Sequence, residues 1–279
     1  QPGAMAGVDI ALWDILGKFT GLPIYTLLGG SYRDRIKMYC SIGGGAPMTP
    51  DEMVSKVDDA LNAGFRAIKI RMDWGPHRRD SNPAKAVAMF TAVRKLVGDD
   101  IPLSFDANNG YSVSTAIRQG RQFEAMNIYH FDEPVAQNDY TGIKQVADAL
   151  DFPVSGGEHE YTRWQSRDLI PQANPDILQP DVVKCDGITE MRKIAVLSDT
   201  FPKHFVPHQT QPTIGTAASL HVVASIQTAN KPQEFTGVRP ELNTIFKEPL
   251  ELKDGYITMP TGPGLGLEID TDQMKAFAL

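Results

Sequence analysis

Ser104-Phe105-Asp106-Ala107-Asn108-Asn109-Gly110 is the stretch from which the rest of this 279-residue chain can be read. An apolar run from Ile101 to Phe105 delivers an acid, Asp106, and Asn-Asn-Gly turns the chain directly afterwards, because these residues tolerate the backbone of tight turns. The pattern predicts a buried strand ending in a carboxylate. It recurs where Ile128 to Phe131 leads into Asp132-Glu133-Pro134, and where Phe152 to Ser155 leads into Gly156-Gly157-Glu158. Asp106 and Glu133 are 27 residues apart and Glu133 and Glu158 are 25 apart, close to the roughly 30 residues of one strand and its crossover helix in a parallel sheet. One acid at a strand end is ordinarily a helix cap or a loop hydrogen-bonder. Three presented at one rim repel each other, and a hard divalent cation bound through oxygen, Mg²⁺ first among them, is the economical answer.

The alternation extends in both directions. Upstream, Ile36 to Ile42 reads as a strand and Thr49-Pro50-Asp51-Glu52 as a capping box opening a helix that ends at Gly64. Ala67 to Met72 is the second strand, followed by a polar loop and a helix opened by Asn82-Pro83. Downstream, strands are predicted at Ile177 to Val183, His204 to His208 and Gln233 to Thr236. Helices lie between them, one opened by a second capping box at Thr162-x-x-Gln165. Eight strands separated by helices predict an α/β fold, a TIM-type (β/α)8 barrel. Residues 1–35 form a helical lead-in, with Val8, Leu12, Ile15, Leu16 and Phe19 along one face of an amphipathic helix. The barrel spans 36–245. Residues 246–279, rich in Gly and Pro between Leu250 and Leu267, are expected to leave the barrel and pack elsewhere.

Composition narrows the function. A net charge of −7 and a pI near 5.4 argue against nucleic acid or an anionic membrane surface as partner. Two cysteines, Cys40 and Cys185, make neither a disulfide framework nor a zinc cluster and suit a reduced, cytoplasmic enzyme. No apolar run approaches the roughly 20 residues of a membrane span.

Barrel active sites lie at the carboxyl ends of the strands, so each strand can be searched there. The second strand presents Lys69 and Arg71 on one face, by two-residue spacing. The sixth presents Asp181, the seventh His208 and the eighth Glu234. Asp132 precedes a candidate ligand and is expected to point to the other face, without a metal role. Trp74 and His77 lie in the loop after the second strand as candidate lid residues, and His159 and Asn108 adjoin candidate ligands. These four are expected to touch substrate.

Lys69-x-Arg71, Asp106 in Phe-Asp-Ala-Asn-Asn-Gly, Glu133 in Asp-Glu-Pro, Glu158 in Gly-Gly-Glu-His, Asp181 in Gln-Pro-Asp-Val and His208 in Val-Pro-His together resemble the enolase superfamily, mandelate racemase subgroup. The opening Ala6-Gly-Val-Asp-Ile-Ala-Leu-Trp-Asp-Ile-Leu-Gly-Lys18 and the closing Pro263-Gly-Leu-Gly266 extend the resemblance over nearly the whole chain. Trp74-Gly75-Pro76-His77, Gly157-Glu158-His159 and Gln179-Pro180-Asp181 are most similar to L-rhamnonate dehydratases and related acid-sugar dehydratases. The resemblance implies a (β/α)7β variant of the barrel. It implies Asp106, Glu133 and Glu158 as Mg²⁺ ligands and His208, oriented by Asp181, as the acid/base group. Lys69 and Arg71 would hold the anionic end of a small-molecule carboxylate, and Glu234 would hydrogen-bond that carboxylate. It also implies a homo-oligomer between dimer and octamer. Two departures stand out. The subgroup often carries Lys-x-Lys where this chain has Arg71, a guanidinium that stays protonated and so anchors anions rather than taking protons. The subgroup's amino-terminal α+β capping domain is expected to have no counterpart in residues 1–35. The expected reaction is abstraction of the proton beside the carboxylate and loss of the neighbouring hydroxyl, giving a 2-keto-3-deoxy acid. The alternatives are a racemase or epimerase on the same metal site and a non-catalytic barrel serving as a binding or assembly module.

Overall fold

Short apolar strands alternating with amphipathic helices build an eight-stranded parallel barrel in the computed structural model, which describes residues 2–74, 79–210, 214–235 and 245–276. The strands are β1 (Arg35–Ile42), β2 (Ile68–Arg71), β3 (Leu103–Asp106), β4 (Phe131–Asp132), β5 (Val154–Gly156), β6 (Ile177–Leu178), β7 (His204–Phe205) and β8 (Gln233–Phe235). Each pairs in parallel with the next from β1 to β7, and β8 returns to pair with β1. After the lead-in helices α1 (Pro2–Thr20) and α2 (Ile24–Leu27), helices α3 (Pro50–Asn62), α4 (Pro83–Val97), α5 (Val113–Glu124), α6 (Tyr140–Ala149), α7 (Arg163–Ala173), α8 (Ile188–Thr200) and α9 (Ile214–Ala224) follow the strands in turn. No helix among the described residues is long and apolar enough to cross a membrane.

Alternation along each strand decides what faces inward. On β3, Leu103 and Phe105 face the helices, where Phe105 packs 4.6 Å from the Phe123 ring centroid and Phe123 packs 4.8 Å from Phe90. Burying such side chains stabilises by about 2–3 kcal/mol each, which pins β3 and sends Ser104 and Asp106 into the barrel. Ladder neighbours share that direction: Ser41, Lys69 and Ser104 are in register, as are Arg71, Asp106, Asp132 and Ser155. An apolar cluster of Tyr39, Ala67, Ile177 and Val206 closes the interior below these polar side chains.

Several expectations need correction. The Thr49 capping box forms as expected, but Thr162 makes no side-chain cap; Gln165 instead accepts from the Tyr161 amide at 2.6 Å. β6 ends at Leu178 rather than Val183, since residues 182–186 turn back through backbone bonds onto Asp181 and Val182. The lead-in helix α1 (Pro2–Thr20) presents the opposite face from the one expected: Val8 is 56 % and Phe19 88 % exposed, whereas Ile10 is 4 % exposed. Polar groups decide this orientation. Asp9 accepts from the Thr189 amide at the start of α8, Asp14 accepts from the Leu265 amide, and Trp13 donates to Thr189 Oγ1. Gly17 permits the close approach, because a Cβ there would sit 2.5 Å from the Gly264 Cα. The carboxyl-terminal stretch leaves the parallel ladder; its hairpin, β9 (Leu252–Lys253) and β10 (Tyr256–Thr258), pairs antiparallel with the start of β1. A short helix, α10 (Thr271–Lys275), follows.

Candidate active site

At the floor of the barrel mouth lies Lys69, fully buried. Its Nζ is 2.6 Å from Asp132 Oδ2, 3.2 Å from Glu234 Oε1 and 3.3 Å from Asp106 Oδ2. Burial alone would lower this ammonium's pKa. The carboxylates, Asp132 foremost, more than reverse that, so Lys69 stays a cation. Asp132 is held down to about 2: burial works against ionisation, but Lys69 outweighs it, and Ser155 adds a hydrogen bond. Two expectations change here. Asp132 points into the barrel, not away from it. It does so together with Glu133 because Glu133 has φ +42° and breaks strand alternation. Lys69 is closed beneath the acids, so it is a counter-charge for the protein and not a handle for substrate.

Glu234 is equally engaged. Its Oε2 accepts from the Gln209 amide at 2.8 Å and its Oε1 faces Lys69. Burial raises its pKa, but Lys69 and His208 outweigh burial and lower it.

Above this floor stand the remaining acids. Asp106 Oδ1 accepts from the Asn108 amide at 2.7 Å. Glu133 Oε2 accepts from Asn109 Nδ2 at 2.8 Å, and Glu133 Oε1 lies 3.3 Å from His159 Nε2. Glu158 Oε1 lies 3.1 Å from Lys184 Nζ and 3.4 Å from His159 Nε2, and its Oε2 lies 3.4 Å from His208 Nε2. Glu133, Glu158 and His159 offer ligand atoms within 4.8 Å of one another. Of the three expected ligands, then, Glu133 and Glu158 converge with His159, while Asp106 stands beside them, shared with Lys69. Burial pushes Asp106 well above the usual carboxylate range, with Asp132, Glu133 and Glu158 adding to the push against Lys69; burial and then Glu158 raise Glu133. Buried carboxylates that raise each other's pKa fit a hard divalent cation, whose two charges would remove that repulsion, and three of the four donors here are oxygen types that Mg²⁺ accepts.

His208 and Asp181 meet as expected. Nδ1 lies 2.8 Å from Asp181 Oδ2, and the other Asp181 oxygen accepts from the Val183 amide at 2.8 Å. Burial lowers the pKa of the imidazole, but Glu158, the Asp181 hydrogen bond and Glu234 carry it up to about 9. Across the mouth, Arg71 lies 3.8 Å from Asp73 and so close to Gly43 that a Cβ there would meet its Nη2 at 2.4 Å.

The other expected substrate contacts fare differently. Trp74 is buried in the main core beside Gly110, because Asp73 turns the chain with φ +52°. Asn108 Oδ1 accepts from the Asp73 amide, which fastens two loops. His159 belongs with the carboxylates. His77 lies outside the described residues. Sequence reasoning missed Asn109, the second of two adjacent asparagines, and Lys184, whose signal was a lysine three residues beyond Asp181.

Comparison with known proteins adds to this geometry. The family pattern described as enolase C-terminal domain-like matches residues 52–273, and that of the mandelate racemase / muconate lactonizing enzyme N-terminal domain matches residues 2–29, which corrects the expectation that residues 1–35 hold no counterpart of that domain. The chain is 34 % identical over 271 residues to an arabinonate dehydratase of Saccharolobus solfataricus, covering 95 % of this chain and 69 % of that one. It is 33 % identical to a D-galactarolactone cycloisomerase of Agrobacterium fabrum, covering 99 % and 74 %. A mandelate racemase/muconate lactonizing protein from Paracoccus denitrificans superposes with a TM-score of 0.95 at 41 % identity, covering 98 % of this chain and 74 % of that one, and has also been solved in complex with magnesium.

Proposed function

Because the chain belongs to the mandelate racemase / muconate lactonizing enzyme family of the enolase superfamily and is an enzyme of the hydro-lyase kind, we propose that it is a Mg²⁺-dependent dehydratase of acid sugars. The observation that carries this reading is the His208–Asp181 pair set 3.4 Å from Glu158 at the edge of the carboxylate group. Asp106, Glu133 and Glu158 would hold the divalent cation, which supplies electrostatic stabilisation of the charge developing on the substrate's carboxylate.

With the Glu158 charge that raises it offset at the cation site, His208 is a neutral imidazole whose Nε2 takes the proton from the carbon next to that carboxylate, and the C–H electron pair passes into the enediolate. Asp181 accepts from Nδ1, fixes the ring and its tautomer, and supports the imidazolium. The same imidazolium then returns its proton to the departing β-hydroxyl, so that water leaves and the enol relaxes to a 2-keto-3-deoxy acid. Arg71, a permanent cation on the opposite wall, holds the carboxylate end. Inversion needs a proton donor on the second face of the enediolate. Lys69 is shut beneath the acids and Arg71 does not titrate, so elimination is favoured over racemisation.

Incubation of aldonic and aldaric acids with the enzyme and Mg²⁺ in D₂O should yield a 2-keto-3-deoxy acid with little deuterated epimer, and His208→Asn should abolish product. Epimer formation without keto acid, or normal turnover by His208→Asn, would overturn the reading.

A further inference from the structure

Two cations at this site keep about a quarter of their side chains open, Arg71 at 24 % and Lys184 at 26 %. Lys69, by contrast, is closed. Neither open cation has spent its donors. Among the described residues, the nearest acid to Arg71 is Asp73 at 3.8 Å, too far for a hydrogen bond, and the buried Nε of Arg71 has no partner. An ammonium has three N–H donors; among the described residues Lys184 uses one, to Glu158 at 3.1 Å, and its second acid, Asp181, is 3.9 Å away.

The two cations stand on opposite walls. β2 and the turn after β6 are four strands apart whichever way the ring of eight is counted. Glu158 is bonded to Lys184 at 3.1 Å, and its charge acts on both cations. A substrate with its reacting carboxylate at Arg71 and its α-carbon at His208 extends its remaining carbons toward the β5–β6 wall, where Lys184 presents its unspent donors.

We infer that Lys184 binds the far end of the substrate and selects a second carboxylate there, so that the enzyme takes an aldarate, a diacid, ahead of the corresponding aldonate; this rests on the dehydratase reading above. Two N–H groups carrying a full charge match a carboxylate better than a terminal hydroxyl, since a hydrogen bond between two charged groups is markedly stronger than one to a neutral acceptor.

The test uses titration calorimetry on Mg²⁺-loaded protein in a His208→Asn background, which blocks turnover, with galactarate and galactonate as probes. The diacid should bind at least about tenfold tighter than the monoacid. Lys184→Met should erase that preference while Mg²⁺ affinity holds, and Lys184→Arg should keep it. Equal binding of the two acids, no binding of the diacid, or a preference that survives Lys184→Met overturns the inference. So does a Lys184→Met protein in which Mg²⁺ and both acids weaken by the same factor, because Lys184 would then act only by steadying Glu158. The two proposals fail separately. If the Lys184-dependent preference is found but no acid sugar yields keto acid with the His208 enzyme, the dehydratase reading falls and the inference stands.

Discussion

Replacing Lys69 with methionine removes the ammonium that three buried carboxylates share, and the structure sets the size and the pH dependence of the result. Breaking a buried ion pair from one side costs about 3–5 kcal/mol. Asp132 shows why: its partners are Lys69 at 2.6 Å and the Ser155 hydroxyl at 2.9 Å, and with the first gone it must take up a proton. At pH 8, holding neutral a carboxyl of ordinary pKa ~3.9 costs ~1.4 kcal/mol per unit, close to 6 kcal/mol; at pH 5 the same step costs about 1.5 kcal/mol. In the wild type, Asp132 is depressed, so its stabilisation is complete above the ordinary carboxylate pKa and is lost only as pH falls through about 2. In the variant, burial raises it, so stability is regained as pH falls from 8 toward 5. Lys69→Met should therefore melt roughly 6–20 °C below wild type at pH 8, at about 2–4 °C per kcal/mol. The gap should narrow by most of that amount at pH 5. Scanning calorimetry of both proteins at the two pH values reads it directly. An unchanged melting temperature at pH 8, or a deficit that does not narrow at pH 5, would refute the account of Lys69 as a structural counter-charge.

Two further perturbations probe the carboxylates and the docking of α1. Asp106→Asn, Glu133→Gln and Glu158→Gln should each weaken Mg²⁺ binding at least about tenfold, about 1.4 kcal/mol, by calorimetry, and retention of wild-type affinity in all three would remove the metal assignment. Gly17→Ala should destabilise by about 1–3 kcal/mol, because its Cβ would meet backbone of Gly264 at 2.5 Å; a denaturation midpoint equal to wild type would show that α1 does not need this approach.

Much of the barrel could be read from sequence because each strand is a short apolar run that ends in a polar residue at a period near 26. Asp106, Glu133, Glu158, Asp181 and His208 all surfaced that way, and the structure brings the last two within 2.8 Å. What escaped depends on backbone or distance. Asp132 was placed on the wrong face because strand alternation assumes a regular backbone, and Glu133 at φ +42° is not regular. Lys69 read as a substrate anchor because spacing shows the face of a strand but not the depth within a barrel. The face of α1 was inverted because hydrophobic periodicity cannot know that Asp9 and Asp14 have backbone partners 180 and 251 residues away. Trp74 read as a lid residue because it follows a strand end, and only the turn at Asp73 returns it to the core.

Those two long-range bonds of α1 also bear on how the chain is made. Synthesis at about 5–20 residues per second separates the emergence of Asp14 from that of Leu265 by roughly 10–50 s, given their 251-residue separation. Throughout that interval α1 is outside the ribosome without the groups that orient it, and Gly264, which it must approach most closely, does not yet exist. Docking of α1 therefore belongs to the end of folding, after α8 and the carboxyl-terminal segment are in place. A helix synthesised before the whole barrel is thus among the last elements to be seated against it.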